Sequence, residues 1–572
     1  MVDVLRRFRG EPAKPIRSVL VWSREARWTL SRFIRSAAGK HRFVLYPIWA
    51  QSIAMLVVAA SLVATSYAFG IHRGMDKMFP GPLDARASQV ASALADVAYG
   101  MNLRYAVHWT ILSALEKGGL TDQAQYLEPL GLKYPDRIYD TALWNNLLDR
   151  AAHLEGISRA PKVSDKTLTF IQMEDLGMVD FFKISFRLFG YNVQGFFKTY
   201  FIILCVGICI FFLAFWTRPG ILLIGNCLIF GITWSICALD ALDAVGNGRF
   251  FPTLALIPAL HVLALLWSPP RRTSVHLAAA LGQVLLLAFI ITMRTSASWT
   301  LLLFAASILF LFAKALWQCW AKPLSAFVRQ ALTWPAMLLI VTVVAFNVYH
   351  DGRTHPGYFA LDETLPNHTI WNTLAVGLSL MPDIDEIAPE LQKSRGDSFP
   401  TYLGNAYLKR IIGLDVPSVS AYYTNFLFPE LGRPRTYERL VRAAYLDFIQ
   451  RHPADFLRLT FITKPSMILD MLRNLFRNAI RTAAGYLLIA TGLILSASLI
   501  IPAAGNISDL RRGSGMIVAM GIFSMLPYIV AYPAGPFEAF AVLIGIIAAG
   551  LAGLIWTLRW RGVRQVVSAG AV

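Results

Sequence analysis

The stretch IQMEDLGMVDFFKISFRLFGYNVQGFFKTYFIILCVGICIFF, from Ile171 to Phe212, decides the fold. It opens on paired carboxylates, Glu174 and Asp175, adds Asp180, and continues as an amphipathic segment that breaks at Gly190. Uninterrupted apolar sequence follows. Acidic groups are thereby delivered to the mouth of a membrane-crossing helix. A carboxylate in that place belongs either to a reaction or to a solvated surface.

The composition around this stretch sets the class. Of 572 residues, 56% are hydrophobic and only 15% charged, whereas a soluble domain carries about a quarter charged residues. The chain reads as an integral membrane protein. Its apolar runs are roughly twenty residues long and do not alternate, which predicts an all-α bundle rather than a barrel. The formal net charge of +18 suits nucleic acid in principle. Its location argues for the bilayer instead. Met1 to Arg42 holds eleven Lys and Arg against three acids, just before the first apolar run, the pattern of a positive-inside anchor touching anionic lipid. That run starts too late and is too long for a cleavable signal peptide. The five cysteines lie in or beside apolar runs. No disulfide is expected from them, and Cys205 and Cys209 share a helix face as packing residues without metal partners.

About ten spans follow from hydropathy: Trp49–Phe69, Tyr200–Trp216, Ile221–Leu239, Phe251–Leu266, Val275–Ile291, Trp299–Trp317, Trp334–Val348, Tyr486–Ile501, Met516–Val530 and Phe537–Trp556. The connections on one side carry Arg218, Arg271, Arg272, Lys322, Arg329, Arg511 and Arg512, with Asp509 as their acid. The two long connections on the other side are balanced, with fourteen basic and fourteen acidic residues from Gly70 to Lys198 and fifteen and fourteen from Tyr349 to Arg481. The positive-inside rule then places both termini in the cytoplasm of a multi-pass protein. Balanced, cysteine-free outer loops suit the periplasm and hence a bacterial inner membrane. The expected layout is a basic cytoplasmic arm (1–46), the first span (47–70) and a large periplasmic loop with amphipathic helices (71–198). Spans two to seven (199–348), a second large periplasmic loop (349–482), spans eight to ten (483–558) and a cytoplasmic tail (559–572) complete it. In the first loop Leu83, Ala87, Val90, Ala91, Leu94, Val97 and Ala98 recur at helical spacing, and Leu112–Leu115 and Leu143–Leu154 mark later amphipathic pieces. The second loop turns helical from Tyr437 to Leu472.

Four clusters carry candidate chemistry. Glu174, Asp175 and Asp180 form the first. Asp84, after a Pro-Gly-Pro break, is the second, and Asp is equally a favoured helix N-cap. The third lies between spans three and four, where Asp240, Asp243, Asn247 and Arg249 surround a Gly-Asn-Gly turn. Arg249 suits a phosphate at the lipid interface, and the plain alternative is a cap, a turn and a snorkelling arginine. The fourth is Asn367–Asn372, where His368 and Trp371 stand one helical turn apart and can stack and hydrogen-bond a sugar; ordinary loops hold such pairs too. His261, inside the fourth span, reads as a residue hydrogen-bonded to a neighbouring helix. GxSxG, HExxH, CxxC, GxxxxGK[ST] and strand-borne GxGxxG motifs are absent from the sequence, which disfavours ATP hydrolysis and metalloprotease chemistry.

One span followed by a large outer loop, and a second large loop between spans seven and eight, resembles the GT-C glycosyltransferases. The residues from Asp175 to Phe197, with Leu188-Phe189-Gly190 before span two, look like the segment those enzymes place there. Asp175-Leu176-Gly177-Met178-Val179-Asp180 stands where that group commonly has a proline-rich signature, and Asp76 and Asp84 where it has an acidic pair. The resemblance implies transfer of a sugar from a polyprenyl-phosphate donor to a glycan, lipid or protein acceptor. A first-loop Asp or Glu would be the general base, with no cofactor required and a divalent metal optional. Arg249 would hold the phosphate and Asp175 or Asp84 would take the acceptor proton. A polysaccharide polymerase or ligase, a transporter or flippase of envelope precursors, and a non-catalytic scaffold remain alternatives.

Overall fold

A computed structural model of the protein describes residues 48–75, 87–101, 141–155, 177–239, 250–267, 274–318, 334–353, 370–381, 384, 399–412, 434–500, 507–531 and 535–569. Among the described residues there are helices and turns but no strand. In chain order the helices are α1 (Ile48–His72), α2 (Ala87–Tyr99), α3 (Thr141–Ala152), α4 (Gly177–Phe189), α5 (Gln194–Phe215) and α6 (Pro219–Ala238). After a 3₁₀ turn at Phe251–Ala255 come α7 (Leu256–Trp267), α8 (Ser274–Met293), α9 (Trp299–Gln318) and α10 (Trp334–Arg353). The remainder are α11 (Ile370–Leu378), α12 (Phe399–Ile412), α13 (Pro434–Arg451), α14 (Pro453–Arg458), α15 (Lys464–Ile500), α16 (Ile507–Val530) and α17 (Phe537–Ala569). Among the described residues eight helices are long and apolar enough to cross a membrane, carried on α1, α5, α6, α8, α9, α15, α16 and α17. Two shorter apolar stretches, Phe251–Trp267 and Met337–Tyr349, fall where the fourth and seventh expected spans stand.

The bundle is built around α6, every residue of which is buried except Trp234. A helix apolar on all sides gains nothing from water exclusion inside lipid, so close packing and interhelical hydrogen bonds position it. Both are present. Asn226 Nδ2 donates to Met55 O at 3.0 Å, and the Ser66 and Thr233 hydroxyls lie 2.9 Å apart, so α1 and α6 run side by side in one direction. Ser235 Oγ donates to Phe537 O at 2.8 Å. Where α6 crosses α17, a Cβ on Gly231 would stand 1.9 Å from Ala541 O. Only glycine permits that approach.

These contacts fix which ends lie together. The last turns of α1 and α6 meet the first turns of α5 and α17, through Tyr67 stacked on Phe197 at 5.6 Å and through the Ser235–Phe537 bond. Gln283 Nε2 donates to Gly207 O at 2.7 Å and Met293, at the end of α8, lies against Gly177 at the head of α4, so α8 runs antiparallel to α5 and its last turn comes to the same end. On that end sit two helical subdomains. In the first, α2 packs on α4 through Val90, Ala91 and Leu94, as their helical spacing predicts. In the second, α11, α12 and α13 enclose a core of their own with Ala375, Leu378, Leu403, Val441, Ala444 and Phe448. At the opposite end Arg218 grips Asp509 with Nε–Oδ2 of 3.0 Å and Nη2–Oδ1 of 2.5 Å. The acid noted among those basic connections is therefore claimed by an arginine. Trp49, Trp267 and Trp317 stand exposed toward that end, the place of an interfacial aromatic belt.

The chain turns into α5 as the sequence predicts. Gly190 takes φ +76°, and its N–H donates to Phe186 O at 2.9 Å, closing α4 with a left-handed residue that glycine adopts without strain. Asn192 Oδ1 accepts from Gly195 N at 2.8 Å and satisfies a free donor at the start of α5. The second subdomain joins the bundle differently. The helix expected from Tyr437 breaks at His452, before Pro453, and resumes through a π turn at Leu459–Thr463. From Pro453 to Ile500 the helical run covers 48 residues. At about 1.5 Å per residue it far exceeds the roughly 30 Å hydrocarbon layer, so its first half stands outside the membrane.

Candidate functional site

The end that bears the subdomains is also where ionisable groups are drawn inward. On α4 the sequence GMVDFFKISFRLF buries Met178, Val179, Phe181, Phe182 and Phe186 on one face and takes Lys183 with them. Lys183 Nζ lies 2.5 Å from Asp96 Oδ2 of α2, with both side chains less than a tenth accessible, and 3.5 Å from Asp180 Oδ1. Two carboxylates on one ammonium satisfy an otherwise costly buried charge. Asp180, singled out above as a candidate acid, therefore shares the cation that pins α4 to α2. Glu174 and Asp175 lie outside the described residues. The helix they precede is placed tightly, since a Cβ on Gly177 would come within 2.5 Å of Met293 N at the end of α8.

Aromatic rings fill the space between α4 and the bundle. Phe182 meets Phe196 at 4.7 Å, Phe181 meets Phe251 at 5.0 Å, and Tyr200 lies 4.5 Å from Phe250. The Tyr200 hydroxyl and Thr253 Oγ1 are 2.8 Å apart. Leu239 and Phe250, which flank residues 240–249, are thus both anchored at this end. Asp243, Asn247 and Arg249 lie outside the described residues, as do Asp84 and His368. Tyr99 clasps the first subdomain by donating to Ala151 O and accepting from Leu154 N at 3.0 Å. Burial pushes its phenol above the ordinary value, so it keeps the proton it donates.

Two further buried charges, besides Lys183 and Asp96, escaped the sequence reading. Glu538, in the first turn of α17, is fully buried, and neither carboxylate oxygen completes a hydrogen bond among the described residues. The Tyr528 hydroxyl, the Glu538 backbone N–H and the Arg294 guanidinium face it. A charge-bearing group held dry at a membrane boundary is expensive, and such groups mark functional positions. Its signal was visible, a single acid within PAGPFEAFAVLIG. Lys464 is the second, donating to Val530 O at 3.1 Å and Ala531 O at 2.7 Å. It thereby caps the end of α16, directly beneath Gly377 of α11, where a Cβ would meet Ala531 O at 2.1 Å.

Trp371 belongs to the second subdomain's packing, with the Arg442 guanidinium 5.3 Å above its ring and Tyr445 at 5.8 Å. Burial pushes the Tyr445 phenol up to about 12. A cavity of 280 Å³ between α12 and α13 is lined by Tyr407, Phe448, Lys409, Arg410 and Arg451, and Asp447 is shared by the two arginines. His261 departs from expectation. Its ring packs between Phe211 at 6.0 Å and Phe215 at 5.0 Å, and neither nitrogen finds a hydrogen-bond partner among the described residues. Compared with protein-family models, curated proteins and solved structures, the chain matches none.

Proposed function

We propose that this chain is a ten-span membrane glycosyltransferase of the bacterial inner membrane, moving a sugar from a polyprenyl-phosphate donor to an envelope glycan, lipid or protein acceptor. Both termini are cytoplasmic and both subdomains periplasmic. The reading rests on one observation: two helical subdomains cover the end of the bundle at which the buried charges Lys183, Asp96 and Glu538 gather. A lipid-phosphate sugar carries its own leaving group. The protein has only to hold the phosphate, exclude water and offer one carboxylate to the acceptor hydroxyl. Arg249 holds the phosphate in this scheme, with Asp243 and Asn247 beside it, and His368 and Trp371 contact the sugar. Asp175 is the base, with Glu174 and Asp84 as the other first-loop candidates. Displacement with a single base inverts the anomeric carbon.

The test is transfer of radiolabelled sugar from polyprenyl phosphate to an envelope acceptor by purified protein in lipid. A positioned general base contributes about 10²–10⁴-fold, so Asp175→Asn is expected to lose at least that lower factor while remaining folded. Loss in Glu538→Gln but not in Asp175→Asn moves the base to α17. Absence of transfer from every donor overturns the transferase. Buried Glu538 favours a second reading, a proton-coupled carrier of envelope precursors. Substrate-driven proton uptake by proteoliposomes that show no transfer would establish it.

A further inference from the structure

The stretch of α15 from Leu469 to Arg481 descends from the second subdomain to the bundle, and its height against the membrane is fixed by contacts. Asn478 Nδ2 donates to Ala238 O at 3.2 Å and Thr482 Oγ1 to Cys237 O at 3.0 Å, both in the last turn of α6. The Tyr486 ring stands 5.4 Å from Phe69 and 6.1 Å from His72, in the last turn of α1. Residues 478–486 therefore lie at the membrane boundary. One face of this stretch, Leu472 and Ala479, is buried against the bundle, and α15 kinks just beyond it at Ala483 (φ −135°, ψ 19°).

The other face is open and carries two adjacent strips. Leu469, Phe476 and Ile480 are 62%, 41% and 45% exposed. Beside them Arg473, Arg477 and Arg481 recur every fourth residue, so they climb one side of the helix, all exposed. Arg473 pairs with Asp470 at 3.0 Å. Arg477 and Arg481 make no ion pair among the described residues. An open apolar strip in water is unfavourable, and a guanidinium ladder beside it at headgroup height calls for anions. One surface supplies both complements: acyl chains for Phe476 and Ile480, the apolar residues nearest the boundary, and headgroup phosphates for Arg477 and Arg481, whose planar forks bind phosphate oxygens bidentately.

We propose that this face of α15 docks phosphate-bearing anionic lipids of the surrounding leaflet, with Arg477 and Arg481 as the phosphate ligands. The inference stands apart from the transferase reading, because it needs no donor and no reaction. It is tested on the full chain in neutral detergent, titrated with dioctanoyl phosphatidylglycerol or dioctanoyl phosphatidylcholine and read by native mass spectrometry. Phosphatidylglycerol is expected to bind more tightly than phosphatidylcholine, weakening about fivefold for each of Arg477→Gln and Arg481→Gln and falling further as salt rises. Arg511→Gln, at the opposite end of the bundle, is expected to leave these adducts in place. Both ladder arginines are exposed, so the variants keep the fold, which gel filtration checks. Equal binding of the two lipids, or unchanged binding in the double variant, overturns the proposal. Full displacement by equimolar inorganic phosphate or polyprenyl phosphate also overturns it, assigning the ladder to a free anion or a lipid substrate.

Discussion

Lys183 shows how much a single side chain can carry and how little of it the sequence displays. In FFKISF it sits within an amphipathic repeat, where a lysine ordinarily marks the wet face. The structure buries it instead, because Asp96, far upstream on α2, supplies the opposite charge at 2.5 Å. Pairing across that distance leaves no local pattern. Truncating one partner of a buried pair strands the other charge, which costs about 3–5 kcal/mol, whereas replacing both by apolar residues is often close to neutral. Lys183→Met is therefore expected to lower stability by about that amount, and Lys183→Met/Asp96→Leu to regain most of it. Denaturant midpoints of the purified proteins measure both, and a double variant no better than the single one would refute the pairing as the source of the loss. Glu538 is the opposite case. A lone acid at the head of an apolar run is legible, but the connecting loops, far richer in acids, hide it in the sequence.

At the scale of elements, the helices themselves were legible and their partners were not. Hydropathy places α1, α5, α6 and α8 within a few residues, since each needs a long apolar run to replace water as its surroundings. In lipid an apolar face says nothing about which neighbour it meets, so the crossing of α6 on α17 has no hydrophobic signature. It rests on small residues. Gly231→Ala drives a methyl group against the Ala541 carbonyl, a backbone atom that cannot swing aside. The expected cost is about 1–3 kcal/mol. Gly550→Ala, also on α17, meets no atom within 4 Å, and alanine's better helix propensity makes it neutral or stabilising by up to about 1 kcal/mol. Melting temperatures of the two variants side by side check the crossing, and equal shifts would refute it. The long helix entering the bundle as α15 was half legible. Its apolar half from Tyr486 stood out and its outer half was legible as helix as far as Leu472, whereas the link between them was not, because arginines at 473, 477 and 481 interrupt the apolar run there.

For the whole molecule, charge and packing bear on the same topology from independent directions. Among the described residues of the basic connections, Arg218, Arg511 and Arg512 lie at the end where Arg218 holds Asp509, and the described helices of the two balanced loops form the subdomains at the other. Direction of travel tightens this. Both α6 and α8 finish at the subdomain end, so the chain between them must return across the bundle, and Phe251–Trp267 is the described apolar helix available for that return. Likewise α9 leaves the subdomain end, and Met337–Tyr349 lies on the helix leading back to α11. If both short stretches cross, the two subdomains share one face of the membrane; if only one crosses, they are split between faces. The ten-span proposal therefore makes a sharp prediction about labelling. In intact cells with a permeable outer membrane, a membrane-impermeant maleimide is expected to modify Glu155→Cys in the first subdomain and Gln450→Cys in the second. Arg511→Cys, on the basic side, is expected to react only after the inner membrane is opened. Modification of one subdomain without the other removes a crossing and with it the shared roof over the buried charges, which the transferase proposal needs. Modification of Arg511→Cys alone inverts the protein, leaving the bundle as described but placing its chemistry on the cytoplasmic face.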